Sequence, residues 1–401
     1  MSPARTMITD ARLPGLAELL DPDRLAARIE QAGAQLSRRS HLRYKPGTSC
    51  VAGIVLDDGD AFGYVVSEAA RAKLDKIIGR ADPAAILLHD RERNLIIARA
   101  EADRDLPALA DPQSALAAIR PGPPASLRTL AYKPQRRWVG LAGRPGEPPV
   151  LLRAYRRTTV ADAHRRLAWY GELTGSRRAL GWRARSGLIA TTFQPGTSLA
   201  DLIERRAADD DALHGCGVAL ARLHDQPPLP GPTVRRADPA ATADLIAVIL
   251  PDEATRARQI LDRLRATAPT AGPIRPCHGD FSTDQVIIAD LSDVSCPRGQ
   301  LGSDNSAGRR DGAGVDLIDF DRSGLGDPAA DLAGLPAAGL GAAAFDRVLV
   351  GYRTVRPVPA GLGWQVARGL LLRAAEPFRV GAIDWAAAIP ERLDRIEEAL
   401  P

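Results

Sequence analysis

Aromatic residues are scarce in this 401-residue chain. They make up 4% of it, too few for the stacking platforms on which single-stranded nucleic acids are bound. Lysine is scarcer, occurring only at Lys45, Lys73, Lys76 and Lys133, so arginine carries most of the positive charge behind a net +4. A modest arginine-based excess gives no clear sign of a DNA-binding surface and is compatible with an anionic small molecule. The cysteines Cys50, Cys216, Cys277 and Cys296 are scattered without C-x-x-C spacing. That argues against a disulfide framework or a zinc site and fits a reducing compartment. No run approaches the roughly 18 apolar residues of a membrane span, and Met1–Leu20 has no continuous apolar stretch of the signal-peptide kind. The expectation is a soluble cytoplasmic protein without nucleic-acid or membrane partners. Its length exceeds one compact core and calls for several subdomains.

The pattern along the chain is β-rich in front and helical behind. Residues 15–37 read as two helical pieces, with Asp21 as N-cap and Pro22 in the first turn of the second. His41–Leu56 reads as a strand bent at Pro46-Gly47. Ala61–Val66 follows as a strand, then a helix capped by Ser67, then a hairpin from Ala84 to Ala100. The Pro/Ala-rich stretch from Ala110 to Pro124 is a connector. After it the pattern restarts: Ala131-Tyr132-Lys133-Pro134 echoes Arg43-Tyr44-Lys45-Pro46. Degenerate duplication and convergent strand-turn-strand composition both account for the echo. Strand Pro149–Tyr155, a helix to about Leu173 and a hairpin over 179–193 complete this second module. Helices are expected over 211–225, 238–267 and most of 329–400. Residues 291–314, rich in Ser, Asp, Gly and Arg, read as a flexible insertion.

Two short segments carry chemistry. The first is His278-Gly279-Asp280-Phe281-Ser282-Thr283-Asp284-Gln285, and the second is Leu317-Ile318-Asp319-Phe320-Asp321. Phosphoryl transfer from a nucleotide needs a carboxylate to orient the attacking hydroxyl and take its proton. It also needs hard oxygen ligands to hold Mg²⁺ against the phosphates. Asp280, in a polar loop before an apolar run, is the candidate base. Gln285 is a candidate metal ligand through its amide oxygen, or else bonds the loop backbone. Asp319, flanked by Ile318 and Phe320 on an expected strand, is a candidate metal ligand, or is satisfied by donors or an arginine. Asp321 is a second contact or an exposed residue. With 291–314 looped out, the remaining span between Asp280 and Asp319 is about one tight hairpin long. His278 is expected to hold the loop, and Asp327 and Asp331 to cap the next helix or brace it.

With these pieces in place, the chain resembles the aminoglycoside phosphotransferase and choline kinase group over about residues 127–335. Further matching pieces are Ala219-Leu220-Ala221-Arg222-Leu223-His224, Phe193-Gln194-Pro195-Gly196-Thr197-Ser198-Leu199 and Gly326-Asp327-Pro328 with Asp331-Leu332. The resemblance implies an α+β, bilobal protein-kinase-like fold with an antiparallel β N-lobe and a helical C-lobe. Where the group usually has asparagine, this chain has Gln285, which is similar to the maltokinase branch. That branch's extra N-terminal α/β cap would account for residues 1–110, leaving 125–193 as N-lobe and 194–401 as C-lobe. The group also implies Asp280 as catalytic base, Asp319 as metal ligand, and Thr192, Phe193 and Gln194 as the interlobe hinge whose backbone reads adenine. ATP is then the phosphoryl donor and Mg²⁺ the metal. The acceptor is a hydroxyl of a small metabolite such as a sugar, amino sugar or aminoglycoside.

The chain departs from the group in its N-lobe. Where the third strand carries a phosphate-binding lysine, the alignment puts Arg153, with Lys133 or Lys45 as substitutes from neighbouring strands. Arginine binds phosphate bidentately but is bulkier. No partner glutamate follows nearby; Glu172 is distant. No G-x-G-x-x-G loop is present, and Gly143-Arg144-Pro145-Gly146 is a poor stand-in. These departures leave a second reading open, a pseudokinase that binds nucleotide or regulates without efficient transfer. Acceptor contacts are expected from the C-terminal helices around Trp364, Gln365, Arg368, Arg373 and Glu376.

Overall fold

Two five-stranded antiparallel sheets stand in front of a helical body, in a computed structural model that describes residues 8–122, 124, 126–176, 178–270, 272–289 and 314–400. Helices α1 (Leu16–Leu20) and α2 (Pro22–Gln31) lead into β1 (Leu36–Lys45), β2 (Ser49–Leu56) and β3 (Gly59–Val66). Helix α3 (Ala72–Ile78) precedes the hairpin β4 (Ile86–Asp90) and β5 (Leu95–Arg99). After the short α4 (Pro112–Ala117), the second sheet contains β6 (Ser126–Lys133), β7 (Arg137–Arg144), β8 (Glu147–Tyr155), β9 (Ala179–Arg183) and β10 (Leu188–Thr192). Helix α5 (Val160–Thr174) lies between β8 and β9.

The sheets repeat one topology. Their strand orders are β1-β2-β3-β5-β4 and β6-β7-β8-β10-β9, and each has its helix between the third and fourth strands. Tyr44-Lys45-Pro46 and Tyr132-Lys133-Pro134 both end a first strand, so the sequence echo marks equivalent places. Local signals account for much of this region. The Asp21 carboxylate accepts from the Asp23 and Arg24 N–H groups with Pro22 in the first turn, as a helix N-terminus requires. His41–Leu56 is not one bent strand, because Pro46-Gly47-Thr48 turns the chain fully and β1 pairs antiparallel with β2. Ser67 makes no side-chain cap; a short 3-10 turn over Glu68–Ala70 intervenes before α3.

Alternation along the first sheet buries both of its faces. Val51, Phe62, Tyr64 and Ile96 pack against Tyr132, Trp138, Leu152 and Ala190 of the second sheet. Cys50, Ile54, Val65 and Ile97 face α1, α2 and the C-terminal helices. The cap sheet is therefore wedged between the second sheet and the helical body. Each such large side chain contributes roughly 1.5–3 kcal/mol by leaving water.

The helical body begins with β11 (Thr197–Ser198), α6 (Leu199–Glu204) and α7 (Asp210–Asp225). Helices α8 (Ala240–Ile249) and α9 (Ala254–Ala266) precede four short strands, β12 (Arg275–Cys277), β13 (Val286–Ile288), β14 (Val315–Leu317) and β15 (Gly324–Gly326). It closes with α10 (Pro328–Ala337), α11 (Ala342–Arg353), α12 (Leu362–Arg373), α13 (Glu376–Val380) and α14 (Trp385–Ala399). Strand β11 pairs with β13, so residues 193–196, between β10 and β11, are the crossing from sheet to helical body. This is the bilobal α+β arrangement expected, with a sheet-based N-lobe, a helical C-lobe and a cap in front. Among the described residues no helix is long and apolar enough to cross a membrane.

Helices α7 and α11 meet backbone to backbone. A Cβ on Gly217 would lie 2.0 Å from the Val348 carbonyl oxygen, and one on Gly351 2.0 Å from that of His214. Gly217→Ala must push the helices apart, and we expect it to lower stability by about 2 kcal/mol in urea denaturation. A second prediction concerns Asp103. Its buried carboxylate accepts from Tyr132 Oη at 3.0 Å and from the Gln135 N–H at 2.7 Å, tying down the β6–β7 turn. Burial pushes its pKa up to about 6. The folded state thus binds the extra proton, so this contribution is present below the unfolded pKa and is lost as pH rises through 6. Unfolding free energy should fall by about 2 kcal/mol between pH 4 and pH 6 from this group. In Asp103→Asn that part of the slope should disappear from pH-dependent thermal melts.

Candidate active site

Hairpin β13–β14 joins what the numbering separates. Val286 pairs with Leu317 and Ile288 with Val315, and the Ala289 N–H donates to the Gly314 oxygen at 2.7 Å. The insertion expected at 291–314 thus leaves from the hairpin tip; apart from Gly314 it lies outside the described residues. At the open end, the Ile318 N–H donates to the Gln285 oxygen at 2.9 Å. Gln285 and Asp319 therefore emerge from the same end of one hairpin. The Gln285 amide nitrogen donates to Asp284 at 2.9 Å, which leaves the amide oxygen as its available ligand atom.

Asp319 does not lie on the strand, as its apolar neighbours suggested. The strand ends at Leu317, and Asp319 takes a left-handed backbone, φ 69° and ψ 51°, before a 3-10 turn over Phe320–Arg322. That conformation is uncommon for a residue with a side chain and tends to mark functional turns. Here it is held from many sides. Arg137 Nη1 reaches the Asp319 oxygens at 2.9 and 3.1 Å, and Arg153 Nε lies at 3.5 Å. Phe320 stacks on Tyr170 of α5, and Arg166 of α5 donates to the Ser323 oxygen at 2.9 Å. Burial opposes the charge on Asp319, but Arg137, Arg153 and His278 together hold its carboxyl well below the usual carboxylate range. Asp321 is not exposed. It accepts from Tyr155 Oη at 2.9 Å and Arg137 at 3.1 Å, and burial together with the neighbouring Asp319 charge pushes its pKa up.

The loop carrying Asp280 is braced from beneath. The Asp331 carboxylate of α10 accepts from the His278 N–H at 2.5 Å and the Gly279 N–H at 2.9 Å, and His224 Nε2 lies 3.2 Å away. His224 Nδ1 is 2.8 Å from Tyr352 Oη. His278 Nε2 donates to the Ile318 oxygen at 2.7 Å, so His278 ties the loop to the strand that precedes Asp319. Gly279 has φ +85°, and a Cβ there would lie 2.4 Å from the Arg322 carbonyl oxygen; only glycine fits. His224, Cys277 and Asp331 bring ligand atoms within 4.8 Å of one another. Both imidazole nitrogens of His224 are already hydrogen-bonded, so the trio is a buried brace. Asp280 itself is half-exposed and pairs with Arg322 at 3.1 Å.

Arg153 is buried on β8 and turned into this cleft, bonded to Asp319 and, at 3.5 Å, to Thr191 Oγ1; it is not a surface strand residue. Glu172 is exposed on α5, and the acid beside Arg153 is Asp319. Lys133 ends β6 at the mouth of the cleft, within electrostatic reach of Asp280. Thr192 ends β10, with Phe193 and Gln194 on the crossing that follows. Gly143-Arg144-Pro145-Gly146 is the β7–β8 turn, where Arg144 bonds the Arg120 and Gly122 carbonyls. It lies at the far end of the sheet, and the turn that overlooks Asp280 is Pro134-Gln135-Arg136. Of the helical residues expected at an acceptor site, Trp364 donates to the Leu264 oxygen and Gln365 to Asp327, both as packing contacts. Sequence reasoning missed Arg137, Tyr155 and Arg166. Nothing in Arg136-Arg137-Trp138 distinguishes the arginine that pairs with Asp319 from its neighbour.

Residues 128–294 match the model of the phosphotransferase enzyme family. The matched segment runs from β6 past β13 and includes Lys133, Arg153, Asp280 and Gln285; Asp319 follows beyond its end. Among solved structures, the chain matches a choline/ethanolamine kinase family protein from Mesorhizobium loti at 20% identity, over 72% of this chain and 94% of that one, with a TM-score of 0.47. It matches a macrolide 2'-phosphotransferase from Brachybacterium faecium at 20% identity, over 74% and 97%, with a TM-score of 0.41. A choline kinase from Streptococcus pneumoniae matches at 11% identity, over 72% and 96%, with a TM-score of 0.48. No curated protein matches the chain.

The donor set at the open end of the hairpin fits a hard divalent cation. It combines a carboxylate kept ionised with a neutral amide oxygen, both at the open hairpin end. The Asp331 brace gives this subsection's prediction. Asp331→Asn replaces a buried acceptor of two backbone N–H groups and an imidazole. We expect a loss of about 2–3 kcal/mol, read as a lower midpoint in thermal denaturation.

Proposed function

We propose that this protein is an ATP-dependent phosphotransferase that moves the γ-phosphoryl group to a hydroxyl of a small metabolite, a sugar or sugar derivative. The observation that carries the proposal is the convergence of Asp280, Gln285 and Asp319 about one hairpin and its preceding loop, the first two within the segment matched to the phosphotransferase enzyme family. In this reading residues 1–110 are a cap, 125–193 the N-lobe and 194–401 the C-lobe, with the nucleotide between the last two. Backbone groups of Thr192, Phe193 and Gln194 receive the adenine. Arg153 contacts the phosphates in place of the usual lysine.

The acceptor hydroxyl sits against Asp280, whose half-exposed carboxylate is open to solvent and therefore to a substrate. As the hydroxyl oxygen bonds to the γ-phosphorus, the bond from that phosphorus to the β–γ bridging oxygen breaks. ADP leaves with the electron pair, and the hydroxyl proton passes to Asp280. Arg322, paired with Asp280 at 3.1 Å, orients the carboxylate. Mg²⁺, held by Gln285 and Asp319, would neutralise charge on the phosphates. Asp331, His278 and Gly279 keep the Asp280 loop in register with the hairpin.

Asp280→Ala tests this reading. With Mg·ATP and a panel of hydroxylated acceptors, ADP release should fall at least a hundredfold while the melting temperature stays within a few degrees of wild type. Full activity in that variant removes Asp280 from its role.

A second reading, a nucleotide-binding module without transfer, is favoured by one specific observation. Both oxygens of Asp319 are already engaged by Arg137, and Arg153 stands beside them, so a cation must share that carboxylate with two guanidiniums. Nucleotide-dependent thermal stabilisation that is indifferent to Mg²⁺, with no turnover, selects this alternative.

A further inference from the structure

Two sets of cations line the cleft, and they face different carboxylates. Arg137 and Arg153 belong to Asp319, at 2.9 and 3.5 Å. The other set surrounds Asp280. Arg322 pairs with Asp280 at 3.1 Å. Lys133 and Arg136, at the two ends of the β6–β7 turn, both lie within electrostatic reach of Asp280 and of Arg137, where the two sets adjoin, and Arg136 also within reach of Arg322 and Arg43. Arg43 comes from cap strand β1 and donates to Gln135 Oε1 of the same turn at 2.6 Å. Three separate parts of the chain thus deliver positive charge to one rim.

This rim is not neutralised from within. Lys133 and Arg136 are exposed, and among the described residues neither forms a salt bridge. Asp105, within electrostatic reach of Arg43, already pairs with Arg156 at 3.2 Å, and Asp103 is spent on Tyr132 and Gln135. Besides Asp280, Glu376 of α13 adds negative charge within reach of Lys133. Partial burial and mutual repulsion push both Lys133 and Arg136 below their ordinary pKa values. Like charges gathered at this distance cost free energy that a bound anion would return.

Resting on the phosphotransfer reading above, we propose that the acceptor carries an anionic group, a phosphate or a carboxylate, bound by Lys133, Arg136, Arg43 and Arg322 beside the hydroxyl that Asp280 orients. The donor phosphates have their own cations on the Asp319 side, so the second set is left for the substrate on the Asp280 side. The same field repels an amino sugar or a polycationic aminoglycoside. The substrate class is therefore an acidic hydroxylated metabolite, such as a sugar acid or an already phosphorylated sugar. It also assigns the cap a direct part in substrate binding, through Arg43.

The test is calorimetric titration of wild-type protein and of Arg43→Gln and Arg136→Gln. The full-length protein is first saturated with Mg·AMP-PNP, then titrated with inorganic phosphate, gluconate, glucose and glucosamine. We expect phosphate and gluconate to bind the loaded protein at least about tenfold more tightly than glucose or glucosamine. Each variant should lose about tenfold in phosphate and gluconate affinity while its AMP-PNP affinity stays within about twofold of wild type. Melting curves establish that the variants fold. The proposal is overturned if the loaded protein binds no anion, if glucosamine binds best, or if the variants lose AMP-PNP affinity, which would assign these cations to the donor. Failure of Mg·AMP-PNP itself to bind is a different result, and it overturns the phosphotransfer reading together with the acceptor claim.

Discussion

The ion pair between Arg137 and Asp319 is the contact on which the cleft depends. Asp319 sits in a left-handed turn of the helical body, Arg137 at the first position of β7 in the second sheet. An ionised carboxylate taken from water is costly unless paired and hydrogen-bonded. Arg137 and Arg153 meet that requirement from above, and the hairpin and His278 hold the backbone from below. The lobes are thus joined by charge at the place where a nucleotide's phosphates would enter. Tyr155 and Asp321 extend the network, with Asp321 pushed toward its neutral form by burial and by the neighbouring Asp319 charge.

Around that contact the protein sorts its arginines by partner. Arg166 and Arg178 are structural: one ties α5 to the turn after Asp319, and the other bonds the Leu317 carbonyl and lies over Phe320. Arg137 and Arg153 serve a buried carboxylate. Arg43, Arg136 and Lys133 face the open rim and, among the described residues, form no salt bridge there. Composition reports only that arginine is abundant. The division of labour is a property of the folded surface, because each guanidinium is defined by the acids that happen to approach it.

The cap follows the same logic at a larger scale. It repeats the topology of the second sheet, yet its two faces do different things. One packs on its twin and the other on α1, α2 and the C-terminal helices, so a module that reads as an N-terminal addition packs against both the second sheet and the helical body. Pro134 of the β6–β7 turn packs against it: a Cβ on Gly53 of β2 would lie 3.3 Å from Pro134 Cδ. Several strands were readable from turn residues and alternation, though His41–Leu56 read as one strand where there are two. The burial of both faces was hinted at by the uninterrupted apolar run in Ser49–Leu56, but what covered each face was not.

Local chemistry alone determined a good deal of this protein. Asp21-Pro22 and Asp327-Pro328 start helices because their side chains satisfy the nearest backbone donors, a requirement settled within a few residues. Asp280, Gln285 and Asp319 were legible as a set because short loop and strand signals surround them, and the gap between them reduced to a hairpin once the low-complexity stretch was set aside. Other features were decided only by tertiary structure: the left-handed turn at Asp319, the choice of Arg137 over Arg136 as its partner, the burial of Arg153, and the arrival of Arg43 from the cap. These are long-range meetings of charges, whose energies depend on distance and desolvation, and a linear order of residues specifies neither until the chain has closed on itself.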